Sequence, residues 1–211
     1  AQYPFARNQV RILTNGIPPE LLDPNFVATA ERSSRISIRA AGVLGQGTIA
    51  TIQIVLKQLL AKGHDVEFRH VGPTPAGPLT ISPEFVDRIK LRGPTSHREA
   101  LREIAGADVL LNYYDLERSK VSGISSKLFE YLATGSPIVA INPTRPDWRL
   151  LRRLRWCAMR RNPSIEEITA AFEQAISTSG PPEGWLEAFR EQYNRRNQSR
   201  RLAGWLDQLV T

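Results

Sequence analysis

The sequence predicts an α/β fold: a Rossmann-like parallel sheet with helices on both faces, extended by extra C-terminal helices. Short apolar segments alternate with amphipathic helical segments along most of the 211 residues, which is typical of right-handed βαβ units. Three loops rich in glycine, proline or polar residues, 42–47, 72–82 and 113–124, each follow a predicted strand. These loops therefore fall at the carboxyl ends of the strands, where parallel sheets bind ligands.

Composition is that of a globular protein without a membrane span. Apolar residues make up 41% of the chain, and no run of about eighteen of them occurs. No signal peptide is predicted. A single cysteine, Cys157, fits a reducing compartment and is expected to be a small buried residue. We therefore expect a cytoplasmic protein.

The net charge of +7 comes largely from clustered arginines. Seven arginines lie between Arg145 and Arg161 against one acid, Asp147, and five more lie between Arg190 and Arg201. Two interpretations stay open: a solvated basic face, or a surface that attracts nucleotide phosphates or acidic lipid headgroups at a membrane. Nucleic acid is not an expected partner, because aromatic residues are not interleaved and no finger or RNA-binding signature occurs.

The N-terminal third predicts two strands and one helix. V-R-I-L-T at 10–14 predicts a strand that ends at the Asn15-Gly16 turn, and 17–34 predicts an irregular connection with room for one helical turn. A strand at 36–41 leads into the glycine-rich loop 42–47. Thr48 is expected to cap the next helix, which Gly63 ends and whose apolar face is Ile49, Ile52, Leu56, Leu59 and Leu60.

The middle third continues the alternation. A strand at 66–71 ends at Gly72-Pro73, and a short strand follows at 88–91. Ser96 is expected to cap a helix over 97–105, and a strand over 108–112 runs into Tyr113 and Tyr114. His97, in the first turn of that helix, is placed where it could approach a ligand, but a solvated surface histidine is the favoured interpretation. The three histidines lack metal-ligand spacing. No metal is therefore expected.

The segment 125–142, S-S-K-L-F-E-Y-L-A-T-G-S-P-I-V-A-I-N, is the most informative stretch. It predicts a helix that ends at Gly135 and a buried strand that Pro137 opens. The helix N-terminus suits a phosphate, and Glu130, one turn beyond Lys127, suits the vicinal hydroxyls of a ribose or sugar. The alternative is an ordinary surface ion pair between Lys127 and Glu130.

The remaining sequence predicts a short helix, a short strand and three helices. In order, these are 149–153, the strand 157–159, a helix from Ser164 to about Ile176, and terminal helices over 183–193 and 195–210 after the break at 180–182.

The glycine loop is compatible with a ligand but does not match the dinucleotide fingerprint. Gly42, Gly45 and Gly47 have the spacing G-x-x-G-x-G rather than G-x-G-x-x-G. A tight strand-to-helix turn explains them equally well. No acidic residue follows a strand about twenty residues on, where a dehydrogenase would hold its adenosine ribose. This counts against a dehydrogenase.

Together these motifs resemble the C-terminal half of GT-B glycosyltransferases of the family-four type. The matches run in order from N-G after the first strand, through G-V-L at 42–44, V-G at 71–72, R-G at 92–93 and A-D-V-L-L at 107–111, to S-K-L-F-E-Y-L-A-T-G-S-P at 126–137. They cover about residues 8–210. The resemblance implies a segment 1–22 leading in from a missing N-terminal domain, a nucleotide-sugar-binding domain at 23–194, and a crossover helix at 195–211.

The resemblance also implies residue roles. Lys127 and Glu130 would be the catalytic pair, with Glu130 on the nucleotide ribose, and the 92–94 turn would face the base through main-chain groups. The donor-binding residues would be Gly42, Gly45, Gly47, Gly72, Arg92, Gly93, Tyr113, Ser122, Gly123, Ile124, Ser125 and Ser126. The donor is a substrate, and neither a cofactor nor a metal is expected.

The implied activity is transfer of a sugar, of the hexosyltransferase type, from a nucleotide-diphosphate sugar to an acceptor hydroxyl, as in bacterial polysaccharide or lipopolysaccharide synthesis. Alone, this half is expected to be inactive. Two departures favour an alternative, a non-catalytic nucleotide-binding or membrane- or partner-docking module. Ser122 stands where the family often has a second Glu, and 45–48 carries no cation. A nucleotide-sugar epimerase is a weaker alternative.

Overall fold

A computed structural model of the chain describes residues 11, 13–45, 47–74, 79–114 and 124–210, without the side chains of the last two. It contains one sheet of six parallel strands in the order β3-β2-β1-β4-β5-β6. The strands are β1 (Ile36–Ala41), β2 (Val66–Val71), β3 (Ile89–Arg92), β4 (Val109–Tyr113), β5 (Ile138–Ile141) and β6 (Cys157–Arg160). The Rossmann-like fold class predicted from the sequence is confirmed.

Helices cover both faces of the sheet and extend beyond it. They are α1 (Pro24–Ala28), α2 (Thr48–Ala61), α3 (His97–Ala105), α4 (Ser126–Thr134), α5 (Arg145–Leu151), α6 (Ile165–Ile176), α7 (Trp185–Tyr193) and α8 (Arg195–Val210). Two 3-10 turns, Pro19–Leu22 and Pro83–Phe85, lie in connections. Within the described residues, none of the helices combines the length and the apolar character that crossing a membrane requires.

Several predicted boundaries were wrong. Of the strand predicted at 10–14, Arg11, Leu13 and Thr14 do not lie in a strand, and the rest is outside the described residues. Gly47, not Thr48, caps α2, because its left-handed backbone (φ 83°) turns the loop into the helix. Helix α5 begins four residues before the predicted start, since the Thr144 side chain accepts the Asp147 N–H and a proline follows at the second helical position.

The apolar residues pack into two layers, one on each face of the sheet. Helices α2 and α6 cover one face, with Ile52, Leu56 and Phe172 fully buried against β1, β2 and β4. Helices α3, α4 and α7 cover the other, with Leu128 and Phe129 at the centre of that layer. The central strands are therefore buried on both sides, as parallel sheets require.

Strands β1 and β4 separate towards their carboxyl ends. Their pairing stops at Arg39–Leu110, whereas β1 stays paired with β2 to Ala41 and β4 with β5 to Tyr113. This is the point where the strand order reverses, because the chain winds outward from β1 in one direction and from β4 in the other. Open α/β sheets bind their ligands at such a crevice.

The C-terminal helices fold back onto the α4 side of the sheet. Rings of Trp156, Trp185, Phe189, Tyr193 and Phe129 form a chain with centroid separations from 4.7 to 6.4 Å. At the junction between α7 and α8, the backbone of Ile17 donates to Tyr193 O (2.7 Å) and accepts from Arg195 N (3.1 Å). The start of the described chain and the start of α8 are thereby held together.

Candidate functional site

Two glycine turns form one wall of a cleft at the carboxyl edge of the sheet. Gly42, after β1, and Gly72, after β2, have φ angles of 100° and 131°. A Cβ on Gly72 would lie 2.4 Å from the carbonyl oxygen of Gly42, so no larger residue fits this approach. His70 Nε2 donates to the same carbonyl oxygen at 2.8 Å. Burial lowers the pKa of His70, while this contact with Gly42 opposes the shift.

Helix α4 forms the opposite wall, and Tyr131 anchors it in the gap between β1 and β4. The side chain of Tyr131 is fully buried. Its hydroxyl accepts the Ala41 N–H at 2.8 Å and donates to Leu111 O at 3.4 Å. One phenol thus bridges the two strands where their own pairing has ended. Burial raises the pKa of Tyr131, so the hydroxyl keeps the proton that it donates.

Glu130, beside this anchor, points into the cleft. Its side chain is 13% exposed, which leaves the carboxylate reachable from the opening. His97 Nε2, from the first turn of α3, lies 3.0 Å from Glu130 Oε1. Arg195 Nη2, from the first turn of α8, lies 3.8 Å from the same oxygen. The carboxylate is therefore oriented through one oxygen by groups from two other helices.

The cleft between these walls has a volume of about 340 Å³, which is within the range of small-molecule sites. Its lining includes Gly42, Gly72, Pro94, His97, Lys127 and Glu130. One side is thus backbone and proline, suited to a flat ring, and the other presents a cation and a carboxylate one helical turn apart. Such a cleft can hold a nucleoside by its base and its ribose hydroxyls.

Lys127 lies between this cleft and a narrow neighbouring crevice. Its Nζ is 5.2 Å from the ring centre of Tyr114 and 6.0 Å from that of Tyr131. The crevice is lined by Lys127 together with Gly45, Thr48 and Tyr113. Because aromatic faces attract a cation, the two rings hold the ammonium group at the N-terminus of α4, where a phosphate would be favoured.

A buried carboxylate, Asp147, lies behind the α4 N-terminus. It has no exposed surface, and its Oδ1 accepts the N–H of Ser125, the N-cap residue of α4, at 3.3 Å. Burial raises the pKa of Asp147, while the contacts with Ser125 and Thr144 and the charge of Lys127 oppose this. Of the backbone donors predicted to bind a diphosphate, the one at Ser125 is therefore already in use.

The structure brings part of the predicted set together. Gly42, Gly72, Lys127 and Glu130 line the main cleft, and Gly45 and Tyr113 line the neighbouring crevice. Gly93 precedes the cleft residue Pro94. Ser126 is the first, exposed residue of α4.

Other predicted residues are engaged elsewhere. The Arg92 side chain pairs with Glu99 at 2.9 Å, and its carbonyl oxygen accepts from Gly72 N at 3.0 Å. Gly47 caps α2, and Ile124 packs against the core beneath α4. Ser122 and Gly123 lie outside the described residues.

Two residues of the site were not recognised in the sequence, and for a third, His97, a position near a ligand was the less favoured alternative. His97, expected as a solvated histidine, is 54% exposed but contacts Glu130. Tyr131 and Asp147 were not singled out for a role in the site. A tyrosine next to the predicted ribose carboxylate, and a lone acid among arginines, were the available signals, but both also fit ordinary core and surface positions.

Among the comparisons with known proteins, only the one with solved structures finds matches. No known family profile matches the sequence, and no curated protein matches it significantly. A sucrose-phosphate synthase from Thermosynechococcus elongatus superimposes on 99% of this chain and 56% of its own (14% identity, TM-score 0.64). HepE from Anabaena, solved with UDP and glucose, superimposes on 93% of this chain and 56% of its own (14%, 0.64).

WaaG, a glycosyltransferase involved in lipopolysaccharide biosynthesis, superimposes on 88% of this chain and 52% of its own (15% identity, TM-score 0.56). The chain thus spans about half the length of the solved structures it matches. At these identities the likeness shows the fold, which is that of the C-terminal half of GT-B glycosyltransferases.

Proposed function

We propose that this chain is the donor-binding half of a glycosyltransferase, which transfers a sugar from a nucleotide-diphosphate sugar to an acceptor hydroxyl. The observation that carries the proposal is the position of Glu130. Its carboxylate opens into a nucleoside-sized cleft at the reversal point of the sheet, one helical turn from the N-terminus of α4. A ribose and a diphosphate can be held side by side by this arrangement.

In the proposed complex, each wall of the cleft has a separate role. The base lies against the backbone of the two glycine turns and Pro94, and the ribose hydroxyls donate to Glu130. The diphosphate meets the first-turn amides of α4 and the Lys127 ammonium, which offsets charge as the diphosphate leaves. Positioning and charge neutralisation supply the catalysis, and no metal or further cofactor is required.

Relatives in fold support the substrate class. HepE was solved in complex with UDP and glucose, and with UDP-glucose, and WaaG acts in lipopolysaccharide biosynthesis. On this basis we propose that the donor carries a hexosyl group and that the protein acts in bacterial polysaccharide or lipopolysaccharide synthesis. We place this reaction in the cytoplasm, at the inner face of the membrane.

The proposed enzyme also has an N-terminal domain, which forms its other half. Segment 1–22 leads in from an N-terminal domain, 23–194 binds the donor, and the helix at 195–211 crosses back. That domain supplies the acceptor site, so the 211-residue chain binds nucleotide weakly and transfers no sugar by itself.

A titration tests nucleotide binding. Adding UDP or GDP to the labelled chain should shift the backbone amide signals around Glu130, with millimolar affinity or tighter. Glu130→Ala should abolish these shifts, because the ribose hydroxyls lose their acceptor. Glu173→Ala is the matched control: Glu173 lies on α6, pairs with Lys62 and does not line the cleft. Unchanged signals with both nucleotides would contradict the proposal.

A second candidate is a non-catalytic nucleotide-binding module that docks to a membrane or a partner. It is favoured by Ser122 at the position of the family's second Glu and by the lack of a cation at 45–48. Sugar transfer or donor hydrolysis by the full-length protein separates the two. Nucleotide binding without either reaction would assign the non-catalytic role.

A further inference from the structure

A cluster of exposed arginines lies on α5, outside the cleft. Arg145, Arg149 and Arg152 follow one another at spacings of four and three, so they share one side of the helix. All three are exposed, and so is Arg161, which follows β6. Together with Trp148 they line an open groove of about 450 Å³. We call these five residues the α5 basic patch.

No acid in the described part of the chain neutralises this patch. Asp147, the only acid between residues 145 and 161, is fully buried and faces the α4 N-terminus instead. Among the residues that the structure describes, none of the ion pairs includes an arginine of the patch. Four guanidinium groups around one groove repel each other, and a partner bearing several negative charges would relieve that repulsion.

We propose that the α5 basic patch docks this protein onto the surface of a bilayer that is rich in anionic phospholipids. Guanidinium groups bind phosphate through paired hydrogen bonds. Trp148 is 38% exposed at the centre of the patch, and tryptophan favours the headgroup level, where one part of its ring is apolar and its N–H stays polar. The groove thus offers arginines for the lipid phosphates and a tryptophan for the partly apolar headgroup level.

The shape of the patch fits a bilayer better than a nucleic acid. Single-stranded nucleic acids stack successive bases on several aromatic side chains, whereas the groove contains one aromatic residue. Helix α5 has seven residues, too short to offer a long reading surface to a duplex groove. A flat layer of phosphate headgroups requires neither feature.

The lipid contact would lie close to the donor cleft. Helix α5 follows β5 at the carboxyl edge of the sheet, and Asp147 on this helix bonds Ser125 at the start of α4. A docked protein would therefore hold the carboxyl edge of the sheet, with the donor cleft, near the membrane surface. The lipid contact itself does not depend on the proposed function, because lipid binding and nucleotide binding are measured separately.

Vesicle sedimentation of the chain tests the proposal. We expect it to sediment with vesicles of phosphatidylcholine containing about one third phosphatidylglycerol, not with phosphatidylcholine alone, and to be released by about 0.5 M salt. Replacing Arg145, Arg149 and Arg152 together by Gln should lower the partition coefficient about 100-fold, because each surface arginine contributes about a factor of five to ten.

The matched control replaces Arg196, Arg200 and Arg201 by Gln. These α8 residues are also exposed, and the change in net charge is identical, so we expect less than about a threefold loss. Equal losses in the two variants, no sedimentation of the unmodified chain, or tighter binding to a single-stranded RNA at the same salt would each overturn the proposal. If the triple variant unfolds early, each single arginine change in the patch should still cost about fivefold.

Discussion

At the scale of single residues, one wall of the cleft depends on Gly72, which no larger residue can replace. Gly42 and Gly72 both have φ in the left-handed region. Their loops approach so closely that a Cβ on Gly72 would meet the backbone of Gly42. Backbone atoms cannot move aside as a flexible side chain can, so this wall of the cleft depends on the absence of a side chain at Gly72.

Gly72→Ala is therefore expected to destabilise the protein by about 1–3 kcal/mol and to weaken nucleotide binding. For a chain of this size, the melting temperature should fall by about 2–4 °C per kcal/mol, which calorimetry measures. Gly93→Ala, in the next loop of the same edge, is the control, since a Cβ there meets nothing within 4 Å. Equal melting temperatures for the two variants would disprove this close-approach argument.

The sequence predicted those site residues that have a local signal, such as a position at a helix start or a strand end. It did not predict those that reach the site only through packing. Glu130 follows a helix start, and Gly42 and Gly72 end strands, so each has a local signal. The contact of His97 with Glu130 joins positions 33 residues apart, and only the packing of α3 beside α4 creates it. The burial of Asp147 could not be predicted from its position among arginines, because burial depends on the tertiary structure.

At the scale of elements, α4 is positioned by the gap between β1 and β4. The Tyr131 hydroxyl takes the place of the strand pairing that ends at Arg39 and Leu110. Since Glu130 precedes Tyr131 on the same helix, this anchor also sets the direction of the proposed ribose carboxylate.

Tyr131→Phe is expected to cost about 1–3 kcal/mol, because the Ala41 N–H loses its partner in a buried place. Nucleotide affinity should fall as well, since α4 is less firmly held. Thermal unfolding and the nucleotide titration measure the two effects. Tyr193→Phe, which keeps its ring stacking with Phe189, should change stability by no more than about 0.5 kcal/mol. An unaltered Tyr131→Phe protein would show that the bridge is dispensable.

Helix starts could be predicted where a capping serine is followed by a Glu at the third helical position. Ser96 and Ser164 both form the capping boxes that their sequences allow, with Glu99 and Glu167 at the third position. Prediction erred at Thr48, where Gly47 takes the cap, and at α5, where the arginine run concealed the cap at Thr144. At α2 two adjacent residues compete for the cap, and the loop geometry decides between them.

At the scale of the whole molecule, a buried polar network ties the central strand β1 to the surrounding chain. Arg39 on β1 is completely buried. Its guanidinium donates to Ser37 Oγ (2.8 Å), to Glu103 O on α3 (2.9 Å) and to Glu31 O in the segment before β1 (2.7 Å). Burial lowers the pKa of Arg39, and the charge of Glu103 opposes this.

Arg39→Met should destabilise the protein by about 3–5 kcal/mol, since it leaves buried acceptors without a donor. Urea unfolding should show a lower midpoint with an unchanged slope. Arg35→Met removes an arginine that is one-third exposed and lies 3.7 Å from Asp65, so it should cost no more than about 1 kcal/mol. If both changes cost the same, the network does not hold β1 to the surrounding chain.

The alternation of strands and helices sufficed to predict the sheet and its parallel direction. It could not predict the separation of β1 from β4, because that depends on how far each ladder continues, which the side chain of Tyr131 helps to decide. It also could not foresee that Arg39 lies inside the core, since a single arginine in a strand is equally typical of an exposed edge.

The most direct test of the central claim is a crystal structure of this chain with UDP or GDP. We predict that the ribose hydroxyls lie within hydrogen-bond distance of the Glu130 carboxylate, with the diphosphate at the N-terminus of α4 beside Lys127. A nucleotide bound at another place on the surface, or one in the cleft whose ribose does not reach Glu130, would contradict the account.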